Sequence, residues 1–208
     1  MVLPLKIILY LAQGLALWAC IAAWSKSRNT SEHYFLPFLL FVALGELTAN
    51  LLYKQFDWIN HVVYNTYDIV SFLFYIIWFY TILKSKKLVL IFGILYVIIL
   101  GISLYLEPYT SVFLNINLYG GTIILLTLVF LFYASLLQKS KVIDFLRLPS
   151  FWIATGILIF HIGYLPIHFL TNIKGAYDYD QVQFIIMILN ILMYGCIAKA
   201  FYERRRTK

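Results

Sequence analysis

Glu46, Asp68, His61, His161 and His168 are the side chains in this sequence that could move a proton or hold a cation from within an apolar stretch. Asp68 stands inside HVVYNTYDIVSFLFYIIWFY, residues 61–80, a run hydrophobic and long enough to cross a bilayer. An ionisable group there is costly to retain and by default marks a functional site. His61, Asn65 and Asp68 recur at i, i+4 and i+7, so one helix face carries all three. Glu46 falls at a similar depth in the preceding run. His161 lies near the middle of a later run, and His168 shares its face about two turns further along.

Two chemistries suit this set. Glu46 and Asp68, if they approach each other, cannot both be ionised cheaply, so one would hold a proton. Beside His161, such a pair is the kind of set that proton relays in transporters use. Histidine and carboxylate also suit zinc, with Asp68, His161 and Glu46 as the candidate ligands. The i, i+7 spacing separates His61 from Asp68, and His161 from His168, by about 10 Å. One metal could therefore use the inner three residues or an outer His61–His168 pair, but not all five. Asn50, Asn65 and Asn190 join Gln13, Asn115 and Asn117 as polar groups at central or outer depth. Amides in membrane helices often serve as interhelical glue worth about 1 kcal/mol each. The carboxylates cost more to keep, and so carry the functional expectation.

The elements that must hold these residues are membrane helices. Hydrophobic residues make up 63% of the 208-residue chain and charged ones 12%, where about a quarter charged is usual for a soluble domain. Seven apolar segments, roughly 4–24, 34–53, 58–83, 88–106, 111–137, 150–170 and 181–202, each approach the ~20 residues a spanning helix needs. They predict one all-α, seven-helix membrane domain over residues 1–208. Thirteen of the sixteen Lys and Arg residues fall in alternate connections and at the C-terminal end, leaving Lys6, Lys54 and Lys174 elsewhere. The positive-inside rule then puts the N-terminus outside and the C-terminus in the cytoplasm, in a membrane of the bacterial inner (plasma) type. This pattern also accounts for the net charge of +7 as a topology signal, so no nucleic-acid partner is expected.

Leu17-Trp18-Ala19-Cys20 is similar to a lipoprotein cleavage box. Trp18 replaces the small residue that box wants, and the charges follow the segment instead of preceding it, so the segment is expected to stay. Cys20 and Cys196 both lie in apolar runs and read as reduced small hydrophobes. Trp and Tyr near the segment ends, Trp24, Tyr34, Trp152 and Tyr202 among them, read as interfacial anchors. Gly120-Gly121, Gly156 and Gly163 permit close helix approach, and Pro166 predicts a kink. The fourth segment is almost free of polar residues, which suits a lipid-facing or linker helix.

Residues 68–80 (DIVSFLFYIIWFY) align with 190–202 (NILMYGCIAKAFY), with Asp68 opposite Asn190 and both ending in Phe-Tyr. With seven crossings this suggests two parallel three-helix units joined by the fourth helix. That plan resembles the small sugar carriers built as three-plus-one-plus-three helices, in helix count and orientation. Their proline-glutamine signature is not present, and the first segment offers only Ala12-Gln13. Retinal proteins need a mid-membrane lysine in the seventh helix. The only lysine there is Lys199, close to the basic cytoplasmic end, so no retinal is expected. Seven-helix lipid amidohydrolases hold zinc with histidines beside an aspartate and a serine. Asp68, Ser71 and the histidines offer those types, without a His-x-x-x-His pair. No P-loop, G-x-S-x-G or H-E-x-x-H motif occurs.

The leading expectation is translocation of a small solute or ion, or ligand sensing, coupled to protonation of a carboxylate in a cavity of Glu46, Asp68, His161, Asn65, Asn50 and Asn190. A metal-dependent hydrolase acting on a lipid is the alternative. A non-catalytic membrane partner subunit, docking through its basic cytoplasmic face, is a third. A chain of this kind can also assemble as an oligomer.

Overall fold

Apolar runs of about 20 residues, bounded by Pro, Ser and charged residues, are long enough to satisfy every backbone group internally as helices. The computed structural model describes residues 2–56, 61–138, 145–171 and 179–206, and no strand occurs among them. In chain order the helices are α1 (Val2–Ala22), a short α2 (Trp24–Ser27), α3 (Phe35–Phe56), α4 (His61–Ile82), α5 (Lys86–Leu106), α6 (Asn115–Leu137), α7 (Pro149–Thr171) and α8 (Tyr179–Arg206). Turns of 3-10 helix at Ser31–Tyr34 and Phe145–Arg147 precede α3 and α7. Each long helix lies within a few residues of an apolar segment read from the sequence. Five stretches, His61–Ile82, Lys86–Leu106, Asn115–Leu137, Pro149–Thr171 and Asp180–Arg206, are long and apolar enough to cross a membrane. The chain is a membrane-integral helical protein. The side chains of Lys6, Asn50, Tyr53, Lys54, Trp58, Lys139, Lys141, Lys174 and Lys208 lie outside the described residues.

Helix α7 begins on Pro149, where a missing N–H costs nothing and the fixed φ suits the first turn. It continues through Pro166 to Thr171. Cys20 and Cys196 are free thiols.

The helices gather into two compact units, Met1–Leu36 with Lys139–Lys208, and Pro37–Gln138. In the first, α8 packs against both α1 and α7. Helix α1 presents Ala16, Ala19 and Cys20, and the turn after it adds Ala23, all buried, at the i, i+3, i+4, i+7 spacing of one face. Gly156 lets α7 approach α8 until a Cβ there would stand 3.1 Å from the Met193 carbonyl. At one end of this unit Arg204 pairs with Glu32 at 2.8 Å, and Lys26 donates to the Arg205 carbonyl at 2.6 Å. Lys199 bonds Glu203 at 2.5 Å and lies over the rings of Trp152 and Tyr202.

The second unit packs α4, α5 and α6 against one another. Residues Val89, Tyr96 and Ser103 are the buried positions of α5, spaced by seven and so on one stripe. Ile91, Ile94, Leu95, Val97 and Ile98 point outward, as a lipid-facing helix requires. The packing therefore joins α5 to α4 and α6, and joins α1 to α8.

Candidate functional site

Helix α4 positions the acidic residue, and two contacts fix its register on α6. The side-chain oxygen of Asn65 accepts the Leu114 amide at 3.1 Å, a sequence separation of 49. The Phe72 ring fills the space at Gly121, where an added Cβ would meet it at 2.8 Å. Residues 72 and 121 have the same separation, so α4 and α6 run parallel and hold one register over two turns. Asp68, between Asn65 and Phe72 on the same face, is then level with Asn117.

Helix α5 completes this level from the other side. Its Tyr96 ring lies 5.8 Å from that of Phe72. The Tyr96 phenol lies against Asn117 and in the field of Asp68. Tyr96 and Asn117 are both fully buried, yet the Tyr96 hydroxyl and both polar atoms of the Asn117 side chain lack a hydrogen-bond partner. Leaving buried polar groups unmatched costs about 1–3 kcal/mol each. Asp68 is half-buried at this level.

The adjoining face of α4 carries Tyr67, Ser71 and Tyr75 at i, i+4 and i+8. Phe38 of α3 packs edge-on against Tyr75 at 5.3 Å and stacks on Phe74 at 4.0 Å. Tyr67 lies in the fields of both Glu46 and Asp68. Phe38, near the start of α3, thus meets Tyr75, near the end of α4.

The other candidates have different surroundings. Asn65 is spent on the connection between α5 and α6: its amide nitrogen donates to the carbonyls of Tyr109 at 2.8 Å and Val112 at 2.9 Å. With the Leu114 bond, it is a staple and not an open ligand. His61 packs edge-on against Phe113 at 4.4 Å. His161 and Asn190 belong to the first unit, where the His161 ring contacts the Ile157 carbonyl at 2.9 Å. Asn190 donates to Ile186 of its own helix at 2.9 Å. Gln13 donates to the buried Tyr194 hydroxyl at 3.4 Å, an interhelical use of an amide. No group of three His, Cys, Asp or Glu residues gathers among the described residues in a way that could hold a metal.

Three contributors escape a reading of the sequence. Tyr96 belongs to the least polar segment, where a hydroxyl is hidden by the hydrophobicity of its ring. Glu107 falls between segments, yet accepts from the amides of Asn115 and Ile116 at 2.9 and 3.2 Å and from Ser103 Oγ at 2.6 Å. It caps α6, with its charge at the positive end of the helix dipole. Glu32 lies in a polar connection and gives no hint of its partner Arg204. No protein-family model, no curated protein and no solved structure matches the chain.

Proposed function

We propose that this protein crosses a bacterial-type inner (plasma) membrane seven times, with the N-terminus outside and the C-terminus cytoplasmic. In this proposal it moves a small solute or ion, or senses a ligand, through a change of charge at Asp68. The observation that carries the reading is the placement of Asp68. This carboxylate sits within α4 at a level where the buried Tyr96 hydroxyl and Asn117 side chain lack well-formed hydrogen bonds to described residues. An acid kept in such a place is costly, and uptake of a proton or cation relieves the cost. Glu46, reaching the same level through Tyr67, adds a second acid to the step.

The change of charge acts through packing. Phe72, one turn from Asp68, seats against Gly121 and Tyr96, so movement of α4 at Asp68 is transmitted to both neighbours. The alternation of basic residues along the chain supports the orientation. A role as a docking subunit has less support, because Arg204 in the basic run is already tied to Glu32.

Purified protein in liposomes, with a pH-sensitive dye inside, tests the proposal. A pH or cation gradient should drive a flux in the wild type that Asp68→Asn abolishes while the thermal transition and elution profile stay unchanged. Equal flux in a folded Asp68→Asn protein would overturn it.

A further inference from the structure

We infer that the Asp68 level of the second unit binds one alkali-metal cation, through the Asp68 carboxylate, the Asn117 side-chain oxygen and the Tyr96 hydroxyl. The inference deepens the function proposed above and rests on it for the role of Asp68.

Charge comes first. When ionised, Asp68 finds no counter-charge in the helical stretches of its own unit: residues 35–53, 62–83 and 88–138 contain no Lys, Arg or His. A water molecule could satisfy Tyr96 and Asn117 but would leave the carboxylate charge unmatched. A bound cation answers both needs.

The donor types then select the ion. Carboxylate, amide carbonyl and phenol are hard oxygens, which suit alkali and alkaline-earth ions over zinc or copper. Calcium sites gather several carboxylates and six to eight oxygens, whereas one carboxylate here matches a single positive charge. Neutral oxygens replacing a hydration shell are the usual means of holding an ion such as sodium or potassium inside a membrane. Glu46, acting on the same level through Tyr67, makes the surroundings more favourable still to a cation.

Geometry supplies the third argument. The three residues come from three helices, and the shared register of α4 and α6 sets Asp68 level with Asn117. Tyr96 is one turn away along α5, near Phe72, and its hydroxyl reaches back to Asn117. Both of these neutral side chains are completely buried, and beyond their approach to each other neither closes a well-formed hydrogen bond with a described residue.

Equilibrium binding of radioactive sodium and rubidium to the purified full-length chain tests the site, with thermal unfolding in sodium, potassium or choline chloride alongside. We expect saturable binding of one ion per chain and a higher Tm in sodium or potassium than in choline. Tyr96→Phe removes only a hydroxyl and should weaken binding about tenfold, equivalent to about 1.4 kcal/mol. Asp68→Asn should remove binding and the Tm difference together. Should Asp68→Asn fail to fold, Tyr96→Phe and Asn117→Leu decide the matter. The site is overturned if the wild type binds neither ion, or if Tyr96→Phe and Asn117→Leu bind as tightly as the wild type. Proton-driven flux that Asp68→Asn stops, in a protein binding no alkali ion, overturns the cation site and leaves the proposed function standing. Ion binding without any flux has the opposite meaning: the site stands and the translocation reading falls.

Discussion

The Oδ1 atom of Asn65 accepts the backbone amide of Leu114 across 3.1 Å, joining the first turns of α4 to the entry of α6. The same side chain donates to Tyr109 and Val112, and the Tyr109 hydroxyl meets Thr66 at 2.5 Å. A single amide thereby fixes both the 107–114 connection and the register that brings Asp68 level with Asn117.

Asn65→Leu should therefore cost about 2–3 kcal/mol in unfolding free energy, since it strands two carbonyls and an amide. Asn65→Asp keeps the acceptor for Leu114 and loses the two donations, so it should fall between wild type and Asn65→Leu. Denaturant titration in detergent checks the order, and limited proteolysis should show cleavage within residues 107–114 first in the leucine variant. Equal stability of all three proteins would show that the connection is held by other means.

Gly121→Leu forces a side chain into the ring of Phe72, which stands 2.8 Å from the position of its Cβ. Overpacking of this kind costs about 1–3 kcal/mol. A compensating Phe72→Ala in the Gly121→Leu background should recover much of the lost Tm, because the leucine then has somewhere to go. Failure of the pair to recover would mean that the helices have no common register here.

Much of this arrangement is legible in the sequence, and the rest is hidden for definable reasons. Apolar run length and the position of Pro149 locate the helices, because each depends only on local residues. The partners of Asp68 are another matter. Asn117 and Asn65 are both buried asparagines in α4 or α6, yet Asn65 binds a connection while Asn117 faces Tyr96. Nothing in residue type separates them; only the packing partner does. His161 and Asn190 show the same limit, since depth within a segment does not specify which helices become neighbours.

Glu107→Gln should loosen the start of α6 by about 1 kcal/mol, since the amide keeps an acceptor for Asn115 but removes the charge at the helix N-terminus. Glu107→Ala should cost more, because Ser103 and the first amides of α6 then lose their common acceptor. Hydrogen exchange at Asn115, Ile116 and Asn117 is the direct measure, with faster exchange in alanine than in glutamine. Unchanged protection in both would remove the cap from the account of this helix.

Arg204→Ala leaves Glu32 buried without its cation and should cost about 3–5 kcal/mol. The double variant Glu32→Gln with Arg204→Ala removes both charges and should recover part of that loss. Comparison of the Tm values of the three proteins gives the coupling directly. Independent, additive losses would show that the two side chains do not act as a pair.

Helix α5 shows the rest of the protein a single strip, Val89, Tyr96 and Ser103, while its remaining circumference is apolar. Its hydropathy therefore says nothing about its angular setting. Swapping one outward aliphatic residue for another should pass unnoticed, but inserting one residue before Tyr96 would turn that side chain through about 100°. The inserted helix would look equally fit to enter a bilayer and would carry its phenol into lipid. For this helix, tolerance to substitution and intolerance to changes of length belong to the same design.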